Sequence, residues 1–242
     1  MSRPWPCPSP EVHRNAAVVI LRLPPPPSSH RNEDAVKHSV FARVYPRLAT
    51  WAEAAGAAEH RRELLAGATG RVIEIGAGHG ANFPHYPATV TEVLAVEPEP
   101  TLRARAERAA RSAPIPVTVA DGTAEALPTA GSSFDVAVTS LVLCSVRDVP
   151  TALAEIRRVL REDGELRFYE HIRSHDRHFA RYQRFADVLW PHFSGGCHLV
   201  RPTDETIAES GFTVTEARYL RFPAPAVPMS PHVLGRARIT GD

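Results

Sequence analysis

Three β-branched residues in the run Arg71-Val-Ile-Glu-Ile75 lead directly into Gly76-Ala-Gly-His-Gly-Ala-Asn82. This pattern predicts a buried strand that stops at a tight turn with an exposed backbone. Glycine suits such a turn because a Cβ would obstruct both the unusual φ/ψ angles and the close approach of a ligand. Further on, a second apolar run, Val93-Leu-Ala-Val96, ends in Glu97. A carboxylate after the second strand, facing a glycine turn after the first, is placed to hold the ribose hydroxyls of a nucleotide-type ligand.

The glycines alone leave the ligand open. Gly76, Gly78 and Ala81 satisfy G-x-G-x-x-G/A, which a dinucleotide dehydrogenase also carries. Three other features favour S-adenosylmethionine (SAM). Glu74 lies two residues before the first glycine, within reach of a ligand's ammonium group. A dinucleotide needs a continuous helix behind the turn to receive its pyrophosphate, whereas Asn82-Phe-Pro84 and Pro87 interrupt that helix at once. A third strand, Val117-Thr-Val119, runs into Ala120-Asp121-Gly122-Thr123-Ala124, whose acid can accept the amino hydrogens of an adenine. This four-part arrangement resembles the class I SAM-dependent methyltransferases.

The 242 residues suffice for one domain with a full core plus some extra chain. A formal charge of +1 gives no reason to expect nucleic-acid binding. Cys7, Cys144 and Cys197 are odd in number and widely spaced, which points to a reducing compartment. No apolar run approaches the roughly 18 residues that span a bilayer, and Ala16 to Leu21 is bounded by Arg14 and Arg22. The expectation is a soluble, cytoplasmic protein without an integral membrane segment; the oligomeric state is left open.

Residues 1–32 read as a proline-rich, disordered tail, and 33–242 as one domain. Two helices before the first strand, within 33–70, are expected to close over the site; Val36, Val40, Phe41, Val44, Tyr45 and Leu48 mark the first, and Ala52 to Leu65 the second. Strands are expected at Val72 to Ile75, Glu92 to Val96, Pro116 to Val119, Phe134 to Thr139 and Glu165 to Glu170. Helices Pro100 to Arg111 and Val149 to Leu160 fall between them, and Asp163-Gly164 makes the turn into the fifth strand. A helix from Thr203 to Ser210, with Thr203 as its cap, precedes strands Thr213 to Tyr219 and His232 to Ile239. The fold predicted is α/β and Rossmann-like: a seven-stranded, mostly parallel sheet with a C-terminal antiparallel hairpin and helices on both faces.

More specific runs narrow the resemblance. Gly78-His-Gly-Ala-Asn-Phe83 with Tyr86-Pro87, Thr139-Ser-Leu-Val-Leu-Cys-Ser-Val146, Tyr169-Glu-His171 and Gly196-Cys-His-Leu-Val-Arg201 resemble the methyltransferase-like 7 group, over roughly Gly70 to Ile239. The resemblance implies methylation of hydrophobic small molecules at a thiol. Animal members carry a hydrophobic amino-terminal anchor where this chain has a proline-rich tail, so membrane attachment is not carried over. The group usually has aspartate where Glu97 stands. Cofactor contacts are expected from Glu74, Gly76, Ala77, Gly78, Asn82, Glu97, Pro98, Asp121, Gly122, Thr123, Ala124, Thr139, Leu141 and Ser145, with S-adenosylhomocysteine as the product.

For the acceptor the residues say less. His171, after the fifth strand, is the candidate base or orienting group; its alternative is a histidine bonded only to backbone. Leu143 reads as core, and Cys144 as a buried free cysteine rather than a nucleophile. His175, His178, His192, Cys197 and His198 match no compact zinc spacing, so no metal is expected. Residues 171–200 read as a cap whose Tyr182, Phe185 and Trp190, with Phe41 and Tyr45, line the acceptor pocket, and Arg201 anchors that cap. No strong base motif is present, which favours a readily ionised acceptor such as a thiol. O- or N-methylation of a natural product, quinone or lipid headgroup remains the chemical alternative, and a catalytically inactive SAM-binding partner the alternative of another class.

Overall fold

A computed structural model describes residues 56–224 and 227–240. The expected tail, the helix with Phe41 and Tyr45, and the first residues of the following helix lie outside the described residues. The elements run α1 (Ala58–Leu65), β1 (Gly70–Ile75), a 3-10 turn (Phe83–His85), β2 (Val90–Val96), α2 (Pro100–Ala110), β3 (Val117–Ala120) and β4 (Phe134–Ser140). Then follow α3 (Val149–Val159), β5 (Leu160–His171), α4 (Arg177–Ala186), α5 (Trp190–Phe193), α6 (Thr203–Glu209), β6 (Phe212–Ala224) and β7 (Val227–Ile239). Among the described residues no helix is long and apolar enough to cross a membrane.

All seven strands form one sheet in the order β3-β2-β1-β4-β5-β7-β6. The pairs among β1 to β5 are parallel, while β7 runs antiparallel to both β5 and β6. The chain therefore steps outward from β1 to β3 and returns to β4 on the other side. That reversal opens a crevice at the carboxyl ends of β1 and β4, where sheets of this kind take their ligands.

Strand alternation sorts the core into two layers. Ile73 and Ile75, with Ala137, Leu166 and Phe168, pack on one face with Leu153 and Ile156 of α3 and Ile207 of α6. Val72, Val136, Val138 and Tyr169 point the other way, toward Leu64 and Leu65 of α1 and Ala106 of α2. Helix starts carry their own acids: Glu99 accepts from Leu102 N at 2.6 Å, Asp148 from Thr151 N at 3.2 Å, and Asp176 from His178 and Phe179 N.

Three expectations need correction. Thr203 does not cap α6; Pro202 occupies that position without a side-chain bond, and the Thr203 hydroxyl donates to His171 O at 3.2 Å. β5 begins at Leu160 and not after Asp163-Gly164, which becomes an excursion inside the strand. Opposite β4 the register jumps from Phe134↔Leu160 to Val136↔Glu165. β6 and β7 are also longer than expected, and β7 takes in Pro228 and Pro231. They fall where β7 has passed the end of β5 and pairs with β6 alone, so a missing donor is tolerated.

Arg167 on β5 is buried on the face toward α1, which no sequence pattern suggested. Its guanidinium donates to Leu64 O (3.2 Å) and Ala66 O (2.8 Å), carbonyls left open where α1 ends, and to Glu165 at 2.5 and 2.7 Å. Replacing it by methionine keeps the bulk and strands Leu64 O and the Glu165 carboxylate. Arg167→Met is expected to lower stability by about 3–5 kcal/mol in urea unfolding, the usual cost of removing one partner of a buried ion pair. A loss below about 1 kcal/mol would show that the guanidinium is not what holds α1 on the sheet.

Candidate active site

The glycine turn after β1 is set by close backbone packing. Gly76 has φ +67°, and a Cβ there would lie 2.6 Å from a methyl carbon of Val142 in the loop after β4. Its N–H and that of Ala77 both donate to Val96 O, at 2.8 and 3.1 Å, which pins the turn to the end of β2. Glu97 follows immediately. One of its carboxylate oxygens accepts from Gly78 N at 2.7 Å and the other from Glu99 N at 2.9 Å. Burial raises the Glu97 pKa, and those two N–H groups oppose the rise. Each oxygen keeps a lone pair for a further donor, such as a vicinal hydroxyl.

Glu74, one turn of the pleat earlier, is buried beneath this loop. It accepts from Asn82 Nδ2 at 3.0 Å and Tyr86 Oη at 2.8 Å, while Arg61 of α1 donates to Asn82 Oδ1 (2.9 Å) and Ser140 Oγ (3.2 Å). Burial pushes the Glu74 pKa up to about 7, against the pull of Tyr86, Asn82 and the Arg61 charge. Asn82 was foreseen as a contact of the cofactor; the structure makes it the bridge between Arg61 and Glu74. The 3-10 turn Phe83–His85 replaces a continuous helix here, as Pro84 and Pro87 require, and that turn brings Tyr86 back over β1.

The remaining expected contacts gather around the same crevice. Asp121, after β3, is exposed and pairs with Arg103 at 2.9 Å, and Arg103 also donates to the Glu97 and Pro98 carbonyls. Gly122 packs against Pro128 and Val96 too closely for a Cβ, Thr123 bridges to Ala126, and Ala124 is buried with Ile75 and Val96. At the end of β4, Thr139 is fully buried. Leu141 turns the chain with φ +61° and donates its N–H to Tyr169 O at 2.7 Å, and Ser145 N closes the loop on Val142 O. A buried acid after β1, a carboxylate fixed by two N–H groups after β2 and an exposed acid after β3 suit SAM in sign.

The loop after β4 has a second attachment. Glu170, buried on β5, accepts from Val142 N at 3.2 Å and Cys144 N at 3.4 Å. Burial raises its pKa to about 7, opposed by backbone N–H groups of residues 142–144. The next residue, His171, turns Nδ1 toward two thiols: Cys197 Sγ at 3.4 Å and Cys144 Sγ at 3.7 Å, with the sulfurs 3.3 Å apart. The bond from Cys144 and the adjacent imidazole charge draw the Cys197 pKa well down, and that same bond, with burial, drives Cys144 up. Burial alone would lower His171; the Cys197 charge and hydrogen bond reverse it. His171, weighed from the sequence as a base or orienting group against a histidine bonded only to backbone, makes side-chain contacts to these two thiols. Among the histidines weighed with Cys197, His175 and His178 are exposed and His198 bonds Asp187 at 2.9 Å. The side chain of His192 lies outside the described residues.

The cap departs from expectation in its polarity. Tyr182 is 43% exposed and Phe185 82%, so these two face away from the sheet. The buried side chain of α4 is Gln183, which accepts from Ser174 N (2.7 Å) and donates to Ile172 O (3.0 Å) and Leu199 O (2.9 Å). Trp190 is half-buried, and its indole N–H is among the groups that lower the Cys197 pKa. Arg201 ties the return of the cap to Leu143 O at 2.7 Å, the anchoring expected of it. Arg61 had no sequence signal of its own, because its partners are distant in the chain, and Tyr86 and Glu170 stood in the runs that carried the resemblance without a role assigned to them.

Residues 73–168 match the family model described as a methyltransferase domain. The chain is 33% identical over 172 residues to the thiol S-methyltransferase TMT1B of Rattus norvegicus, covering 69% of each. It is 30% identical over 219 residues to TMT1B of Homo sapiens, covering 87% of this chain and 81% of that protein. Among solved structures, a SAM-dependent methyltransferase from Thermotoga maritima, described as a possible histamine N-methyltransferase, superposes with a TM-score of 0.60 at 22% identity, over 82% of this chain and 98% of that one. A crevice built for SAM at the switch point of this sheet, and relatives that span most of the chain, lead to one conclusion: the chain belongs to the TMT1 (methyltransferase-like 7) group of class I SAM-dependent methyltransferases.

Proposed function

We propose that the acceptor is a hydrophobic small-molecule thiol, methylated at sulfur. The observation that carries this reading is the likeness, over most of the chain, to relatives named thiol S-methyltransferases. The bound cofactor supplies an electrophilic methyl on a sulfonium sulfur. Glu74 receives its ammonium group, Glu97 its ribose hydroxyls and Asp121 its adenine edge, while the Gly76–Gly78 turn lets the backbone come close. The loop from Leu141 to Ser145, held down by Glu170, forms the wall on the methyl side. Holding acceptor, methyl and sulfur in line supplies much of the rate. A thiolate meeting a sulfonium loses charge, so a site drier than water favours the step. A thiol with a pKa near 8.5 is partly ionised at neutral pH and asks little of a base.

Two measurements test this reading. Label from SAM is expected to reach the thiol in a set of acceptors with one carbon skeleton ending in thiol, phenol, amine or alcohol; transfer to another terminus and not to the thiol would overturn it. The second concerns Glu74. An ammonium group favours the carboxylate, so below about 7 the Glu74 proton must leave before the ligand binds. S-adenosylhomocysteine is therefore expected to bind about tenfold more weakly at about pH 6 than at about pH 8 by calorimetry. Glu74→Gln should bind weakly at both and flatten that profile; an unchanged profile in the variant would remove Glu74 from the ammonium site.

A further inference from the structure

Cys144, His171 and Cys197 reach one point from three separate stretches: the loop after β4, the last residue of β5 and the loop after α5. All three are buried, and their donor atoms lie within 4.8 Å of one another. The sulfur–sulfur distance is 3.3 Å, and the two sulfur–Nδ1 distances are 3.4 and 3.7 Å. In a tetrahedral zinc site, with bonds of about 2.3 Å to sulfur and about 2.0–2.1 Å to nitrogen, the corresponding edges are about 3.8 Å and about 3.6 Å. The three side chains thus already form one face of such a tetrahedron to within about half an ångström.

The backbones behind them are fixed independently. Glu170 accepts from Cys144 N, His198 N donates to Cys144 O at 2.8 Å, and the Thr203 hydroxyl donates to His171 O at 3.2 Å. Ser194 Oγ reaches Cys197 O at 3.3 Å, and Gly196 N closes on Pro191 O at 2.9 Å. The bond from His198 to Cys144 stitches the loop carrying one thiol to the loop carrying the other. Two thiols and an imidazole, drawn together by backbone bonds that none of the three makes through its side chain, are a soft donor set. We infer that Cys144, His171 and Cys197 bind one thiophilic divalent metal ion, zinc by size and ligand type, with water as the fourth ligand. Three protein ligands with one exchangeable position are the pattern of a working site rather than of a purely structural one. The site is one loop away from the cofactor turn, since Val142, which packs on Gly76, is two residues from Cys144.

The test loads the reduced full-length protein with Zn²⁺, removes loose metal by dialysis and measures metal content, then affinity by competition with a chromophoric chelator. One equivalent is expected in the wild type. Cys144→Ser and Cys197→Ser should each weaken zinc binding by about a hundredfold or more, beyond the loss of an outer-shell partner. His198→Gln, whose ring bonds Asp187 instead, should keep its equivalent. Loading the wild type with Co²⁺ needs no variant and should give a thiolate-to-cobalt charge-transfer band with tetrahedral visible bands. Failure of the reduced wild type to retain metal would overturn the proposal, as would cysteine variants that hold zinc as well as the wild type. So would a mass lower by two hydrogens after mild air oxidation together with no metal uptake in the reduced form, which would make the thiols a disulfide pair. Methyl transfer is not among these readouts, so the acceptor assignment and the metal site can fail separately.

Discussion

The crevice depends on carboxylates kept where water does not reach. Glu74 and Glu170 are the second-last residues of β1 and β5, both buried, both with the acid form favoured until about pH 7. A displacement from 4.5 to about 7 corresponds to about 3 kcal/mol for holding each charge in place without a cationic partner. The fold bears this cost because each group organises its surroundings. Glu74 gathers Asn82 and Tyr86 around the first loop, and Glu170 draws the backbone of the loop after β4 against β5. A cationic ligand offsets the first cost directly, which couples cofactor binding to the integrity of the sheet's carboxyl edge.

The two loops then lock each other. Val142 fills the space that the absence of a side chain at Gly76 leaves, so the shape of the cofactor turn depends on a residue from the far side of the switch point. Arg61 of α1 reaches both Asn82 and Ser140, spanning the same gap from above. The crevice is in this way a single hydrogen-bonded assembly drawn from β1, β4, β5 and α1, and not a set of separate motifs.

What was legible in the sequence was what is local in the chain. The glycine turn, Glu74 two residues before it, Glu97 after β2 and the broken helix at Pro84 all follow from residues within a few positions of one another, and each stands where the pattern placed it. The mostly parallel sheet followed from alternation of strands and helices, and the terminal hairpin from the resemblance, whereas the strand order came only with the structure. What escaped is set by tertiary neighbours. Arg167 looked like an ordinary strand arginine, yet the end of α1 buries it. Cys144 and Cys197, 53 positions apart, offered no spacing to recognise, yet the fold brings their sulfurs to 3.3 Å. The aromatic residues of α4 read as pocket lining, since periodicity shows a helix has two faces without saying which one turns inward.

That last inversion has a thermal consequence. α4 is docked chiefly through the amide of Gln183, with Tyr182 and Phe185 left outside and Phe179 half-buried, so its attachment carries a reduced share of the heat-capacity change that accompanies apolar burial. The apolar layers of the sheet loosen in the cold as the hydrophobic drive fades, whereas a contact made of three hydrogen bonds does not. Warming acts in the opposite order and frees the helix before the sheet. The attachment of α4 and the apolar layers of the sheet are therefore expected to answer to temperature differently.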